Sequence, residues 1–490
     1  MRCSNVSLKA VLDECRLCYW RTCGRLGFTA SSPCLHPVFT LLAYYHHVNR
    51  SARGVAMRRC IVLSLVVSLS ATVLPLGCTA STSRSPGNDR PFSEGMVYEA
   101  RAEAKENAPA TLDSRLVRAD NQFGFELLKK LHDGRGKTVP EKLDPTGNVF
   151  ISPASVAIAL HMTLNGANGE TRAEMERVLR LQGLSVDELN EANLSLHALL
   201  ENPGSGVRLD VANSLWIDNR TDLKPGFLER DKTYYKADVG RLDLAKPESV
   251  DVINGWVSRK TEKRIPDLLS QLSPQAFLVL VNAIYFKGEW ADKFDSKLTK
   301  PREFTLHDGG KKTVQMMSRK GDYQYLEEDS FQAVSLPYGD GRLGMYLFLP
   351  KPGHSLDELV GSLDAETWEG WMKLFGETPG TVELPRLELS YDVELRETLK
   401  SLGMEKAFDA GEADFGKMAS GQAWIDGVVH KSFLKIDEEG TEAAAATAVM
   451  LFGRMPARPF KLTVDRPFFC AIRDNKTGLV LFDGSVSNPT

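Results

Sequence analysis

Apolar residues recur at helical spacing early in this chain and at alternating spacing late in it. Phe123, Phe125, Leu127, Leu128 and Leu131 predict an amphipathic helix. Val149-Phe150-Ile151 predicts a strand that turns into a helix near Ser152. Val207 to Ile217 alternates as a strand, and Val252 to Leu268 is periodic as a helix that breaks at Pro266. Phe277 to Phe286 is a buried strand followed by a turn at Gly288. Further strands are predicted at Phe331–Leu336, Gly344–Leu349, Val382–Leu387, Val428–Ile436, Phe460–Val464, Phe468–Arg473 and Val480–Val486. Helices cluster early and strands cluster late, which is the order of an α+β fold. No repeat is visible, and nothing in the spacing divides residues 119–490 into two domains.

Composition changes the picture mainly at the N-terminus. The 490 residues are 42% hydrophobic and 25% charged, ordinary values for a globular chain. Of the formal net charge of −4, residues 1–56 carry seven Lys/Arg against two Asp/Glu, so the body is the acidic part. A mildly acidic body has no electrostatic footprint for nucleic acid. Seven of the eight cysteines precede residue 79 and only Cys470 lies beyond it, so the body can form no internal disulfide. Cys15, Cys18 and Cys23 lack the second ligand pair of a zinc finger, and no metal or other cofactor is expected.

From Met57 the chain reads as an export signal. Arg58 and Arg59 form a positive start, Ile61 to Leu74 an apolar core, and the segment ends at Gly77-Cys78. That ending resembles a bacterial lipoprotein signal, with Cys78 the residue that would be lipidated, although Pro75 stands where leucine is usual. A plain secretory signal is the alternative. The expected organisation is an upstream extension or mis-called start at 1–56, a signal peptide at 57–78, a flexible tether at 79–118 and a folded domain at 119–490. An extracellular or cell-envelope location follows, with membrane contact only through a lipid at Cys78. The rest of the chain offers no apolar run long enough to span a bilayer.

Asp437 to Arg454, D-E-E-G-T-E-A-A-A-A-T-A-V-M-L-F-G-R, is unlike the rest. Local composition admits a short helix, since alanine is the best helix former, or a linker. Two-residue alternation admits a third reading. As a strand, Thr441, Ala443, Ala445, Thr447, Val449 and Leu451 would share one face, while Glu442, Ala444, Ala446 and Ala448 would share the other. Gly440 ahead of them supplies a backbone hinge. Arg454 is the only basic residue between Lys435 and Arg458.

Ordered motifs then give a resemblance. They are N-V-F-I-S-P-A-S-V-A-I-A-L from Asn148, G-A-N-G-E-T from Gly166, A-N-S-L-W from Ala212, I-N-G-W-V from Ile253 and V-N-A-I-Y-F-K-G-E-W from Val281. L-P-R from Leu384, L-G-M-E-K-A-F from Leu402, H-K-S-F-L-K-I-D-E-E-G-T from His430, D-R-P-F from Asp465 and F-D-G-S-V-S-N-P from Phe482 follow. The chain resembles the serpin family across nearly all of residues 119–490. The resemblance implies an α+β serpin fold of about nine helices and three sheets with an exposed reactive-centre loop. It implies a buried shutter of Ser152, Ser155, Asn282 and His430, a breach at Trp290 where the loop enters, and an ion pair of Glu438 with Arg386. Counting fourteen residues beyond Gly440, as inhibitory members do, puts the cut between Arg454 and Met455.

The function so implied is suicide inhibition of a trypsin-like serine protease with a preference for arginine, by a monomer that forms a covalent complex. The hinge Glu438, Gly440, Thr441, Ala443, Ala445 and Thr447 carries no proline or inward bulk to block insertion. The alternative is a non-inhibitory serpin acting as a binding or carrier protein. Enzymatic activity is not expected: no G-x-S-x-G, H-E-x-x-H or phosphate-cradling loop is present. Departures from the family pattern are Asp483, where an apolar residue is common, and Ser485, where a basic one is frequent.

Overall fold

Asp113 caps the first helix among the described residues, its side chain accepting from the Arg115 backbone, and Ser114–Asp133 then buries Leu116, Phe123, Leu127, Leu128 and Leu131 along one side. The computed structural model describes residues 97–98, 112–134, 146–440 and 458–489. None of residues 1–88 is among those described. The folded body starts earlier than expected: Leu116 and Val117 are buried, so the boundary expected at residue 119 falls inside a helix. The pattern hid this because Ser114 to Asp120 holds only two large apolar residues among charges. Val97–Tyr98, within the stretch read as tether, forms a two-residue strand.

Nine α-helices and three sheets make up the described residues. The helix Pro153–Leu164 is buried on every side, as its mostly apolar sequence requires, with Ser155, His161 and Thr163 as its buried polar residues. Ser152 caps it and Pro153 occupies its first turn, where a missing N–H costs nothing. It packs between the central sheet and the strand Val480–Val486.

The central sheet has six strands, in the order Val97–Tyr98, Asp238–Leu242, Val207–Asp218, Leu278–Gly288, Ile425–Ile436 and Leu387–Glu394. The fourth and fifth strands of that order, Leu278–Gly288 and Ile425–Ile436 (the middle strands), are direct parallel neighbours, with Asn282 opposite His430. Asn213 lies opposite Asn282 on the next strand out, so three polar side chains stand in one row across an otherwise apolar sheet. A nine-stranded sheet contains Phe460–Thr463, Phe468–Asp474 and Val480–Val486, and a two-stranded one pairs Ala419–Ser420 with Asp222–Leu223.

Three expectations differ from the structure. The helix Glu248–Lys260 ends at Thr261, ahead of Pro266. The Thr261 hydroxyl bonds to the Val257 carbonyl and accepts from the Ile265 N–H, and Glu262 and Lys263 follow in the left-handed region. The run read as one strand, Val382–Leu387, belongs to two. Gly376–Pro385 joins the nine-stranded sheet, Leu387–Glu394 joins the central one, and Arg386 stands at the crossing. Finally, Asp238–Leu242, Lys300–Thr305 and Lys311–Glu327 are strands that the pattern did not reveal. In Lys300–Thr305 only Phe304 is buried, so almost no apolar signal was there to read.

Candidate functional site: the shutter and hinge of the central sheet

The row of polar groups across the central sheet is one connected network. The backbone N–H of Ser152 donates to Nε2 of His430 at 3.1 Å. That nitrogen is therefore the acceptor, the proton sits on Nδ1, and Nδ1 donates to Oδ1 of Asn282. The two hydrogens on Nδ2 of Asn282 go to the Ser155 hydroxyl and to Oδ1 of Asn213. Ser152 Oγ donates to the Leu481 carbonyl at 2.7 Å, and Ser432 Oγ donates to the Phe150 carbonyl at 2.6 Å. Burial pushes the His430 imidazole down to about 3, so the ring is neutral at physiological pH. Every hydrogen-bonding atom of the Asn282 and His430 side chains is matched, and such a buried network is costly to half-break.

At one end of the middle strands the chain turns. Ile436 ends its strand, and Asp437 and Gly440 close a tight turn, the Asp437 N–H donating to the Gly440 carbonyl at 3.0 Å. Gly440 also bridges to Glu289, so it lies antiparallel to the extensions of both middle strands. Only glycine fits here. Its φ is +121°, and an added Cβ would lie 2.3 Å from the Gly288 carbonyl oxygen and 2.5 Å from the Trp290 nitrogen.

Trp290 holds this turn from the facing strand end. Its backbone N–H donates to the Glu439 carbonyl at 3.1 Å and its indole Nε1–H to the Asp437 carbonyl at 3.0 Å. The indole stacks on Tyr338 with centroids 4.4 Å apart. The Phe294 N–H donates to the Glu438 carbonyl at 2.9 Å. The Glu438 side chain, 8% exposed, is gripped by Arg386 with contacts of 2.7 and 2.9 Å and by the Thr299 hydroxyl. Burial pushes the Glu438 carboxyl up, but these two partners outweigh it and hold the carboxyl below its ordinary range.

Ser152, Ser155, Asn282 and His430 thus meet in one cluster, and Trp290, Arg386, Glu438 and Gly440 in another. Thr441, Ala443, Ala445, Thr447, Arg454, Met455 and Cys78 lie outside the described residues. Sequence reasoning gave no role to Asn213, Thr299 and Tyr338. Asn213 sits inside the A-N-S-L-W motif, and an asparagine in a run of buried apolar residues was the available signal. Ser152 and His430 are not a nucleophile and its base, because the ring accepts from the Ser152 backbone while the hydroxyl is bonded elsewhere. A serine–histidine–aspartate line does occur at Ser485, His132 and Asp357, with contacts of 2.9 and 2.8 Å. Ser485 is 0% exposed, so no substrate reaches it.

Residues 118–489 match the family model of the serpins, described as serine protease inhibitors. A serpin-like protein from Thermococcus kodakarensis is 36% identical over 381 residues, covering 76% of this chain and 86% of the relative. Serpin B6 from Macaca fascicularis is also 36% identical, covering 76% of this chain and 99% of the relative. Among solved structures, the native state of tengpin, a thermophilic serpin, superimposes with a TM-score of 0.72 at 30% identity, covering 81% of this chain and all of that one. The expected α+β architecture is therefore that of these relatives, and the chain belongs to the serpin family.

Proposed function

We propose that this protein is a suicide inhibitor of trypsin-like serine proteases. The protease serine attacks the carbonyl carbon of Arg454 and expels the Met455 amine, leaving an acyl-enzyme. An arginine in that position suits an acidic specificity pocket, which binds a guanidinium through two hydrogen bonds. Once cut, residues from Thr441 onward enter the central sheet as a new strand between Leu278–Gly288 and Ile425–Ile436. The attached protease is carried along and distorted before water can release it.

One observation carries this reading: Gly440 already bridges the extensions of both middle strands and runs antiparallel to each. A strand continuing from it would satisfy the edges of both neighbours once they part. The small side chains at Thr441, Ala443, Ala445 and Thr447 suit the core-facing side of such a strand. Export follows the same reading, with Cys78 as the lipid-bearing residue of a cell-envelope inhibitor.

The test is to mix the protein with trypsin, denature the mixture, resolve it on a gel and weigh the released peptide. A complex that survives denaturation, with a peptide starting at Met455, is expected. Cleavage without a complex would favour a non-inhibitory binding or carrier serpin.

A further inference from the structure

The helix Ser114–Asp133 packs on the helix Pro153–Leu164, and two titratable side chains meet between them without a hydrogen bond. Asp120 is 1% exposed and His161 is 0% exposed, yet both carboxyl oxygens of the one and Nε2 of the other are unmatched. They face each other, with Nε2 3.6 Å from Oδ1, just beyond hydrogen-bonding distance. Across the ring, Asn193 of the helix Val186–Leu200 places its Oδ1 3.4 Å from Nδ1. The amide nitrogen of Asn193, 3.3 Å from the same ring atom, donates to the Leu189 carbonyl at 2.9 Å. Nδ1 therefore has an acceptor at hand and keeps the ring proton, which leaves Nε2 as a lone pair aimed at the carboxyl.

Among the described residues no lysine or arginine pairs with the Asp120 carboxyl. The helix Pro225–Tyr235 brings Asp231 and Tyr235 to the same interior, but each is engaged elsewhere. Asp231 accepts from Asn165 at 3.3 Å and feels the charge of Arg230, and the Tyr235 hydroxyl donates to Asn190 at 2.8 Å. A bare carboxylate at this depth is far costlier than a neutral acid. Burial alone pushes the Asp120 carboxyl well up, and burial pushes the His161 ring down to about 4.

We infer that Asp120 and His161 form a one-proton dyad, the carboxyl O–H donating to Nε2, and that loss of this proton at alkaline pH loosens the first helix from Pro153–Leu164. The helix that carries His161 near its end carries Ser155 of the shutter near its start, so alkali weakens the support beneath the sheet. The direction follows from counting protons. An unfolded aspartate has its ordinary value of 3.8 and an unfolded histidine 6.5. Between those values the unfolded chain also holds one proton on this pair, so the raised acid and the lowered base offset each other. Above 6.5 the unfolded pair holds none while the dyad holds one. Stability then falls as the pH rises, by about tenfold in the folding constant per pH unit, until the dyad itself ionises.

Asp120→Asn is the test, because an amide donates to Nε2 as the acid does but never ionises. Urea unfolding of the full-length chain is followed from pH 7 to 9, where the buried histidines are neutral in both states. The folding constant of the variant divided by that of the parent should grow about tenfold per pH unit until the parent's carboxyl ionises. Asp231 and Asp483, the other two buried acids held well up, are present in both proteins and cancel in that ratio. Infrared spectra at pH 7 should show a protonated-carboxyl band that loses one carboxyl in the variant. NMR of the ring nitrogens reads the parent alone and should find His161 neutral at pH 7 with its proton on Nδ1. A ratio that stays constant from pH 7 to 9, an undiminished carboxyl band, or a His161 proton on Nε2 overturns the assignment.

Discussion

His430 and Asn282 stand opposite each other on the two parallel middle strands, and the His430 Nδ1–H donates to Oδ1 of Asn282. This bond spans the seam that must open if a further strand is to enter. The same asparagine holds Ser155 below and Asn213 on the next strand, so the seam and its underlying helix are latched by one side chain. Replacing Asn282 by alanine leaves buried partners unmatched, at a cost of about 1–3 kcal/mol for each. A lower thermal midpoint for Asn282→Ala is the expected result, and an unchanged one removes the latch.

The histidine of that pair sets a pH dependence. Burial holds native His430 down to about 3, whereas an unfolded histidine keeps its ordinary value of 6.5. Between those values the unfolded chain binds a proton that the native chain refuses, so stability is complete above about 6.5 and falls as the pH drops. The slope is about 1.4 kcal/mol per pH unit for one such group. His161 and His197, both held near 4 by burial, act in the same direction. Urea unfolding from pH 7 to 5 reads the slope, and His430→Gln should reduce it by about one proton.

Gly440 is fixed by its surroundings more than by its sequence neighbours. An added methyl group meets the Gly288 carbonyl and the Trp290 nitrogen, and the positive φ disfavours any side chain. Gly440→Ala should lose about 1–3 kcal/mol of native stability. Limited proteolysis near Asp437 should rise with it.

Thr441→Arg tests insertion separately from cleavage. The cut at Arg454 should proceed, because the bond is more than a dozen residues away. Trapping should fail, because a guanidinium would have to be buried under the sheet without a partner. The variant is then turned over as a substrate, seen as cleaved inhibitor with no denaturant-stable complex. Arg454→Ala should do the reverse of sparing cleavage: inhibition of trypsin disappears while the thermal midpoint stays.

The residues of this site were reached through short motifs that resemble the serpin family, and several of those motifs fold as local units. Ser152 caps the helix that carries Ser155, and one strand takes the chain from His430 to within two residues of Glu438, so contiguous residues become contiguous structure. The parts that were not legible depend on distant partners. Val97–Tyr98 pairs with Val239 and Gly240, more than a hundred residues away, and nothing local announces it. Gly240 is itself required by the Trp216 ring, which an added Cβ would meet at 2.3 Å. Lys311–Glu327 is a strand made largely of polar residues because much of its length is exposed, so it carries no strong alternation.

Thermal unfolding before and after a single cut in the loop tests strand insertion most directly. If the cut segment enters between Leu278–Gly288 and Ile425–Ile436, the cleaved protein gains a full set of backbone hydrogen bonds and unfolds far above the intact one. A cleaved protein that unfolds at the same temperature as the intact one, or below it, would contradict insertion and with it the suicide mechanism.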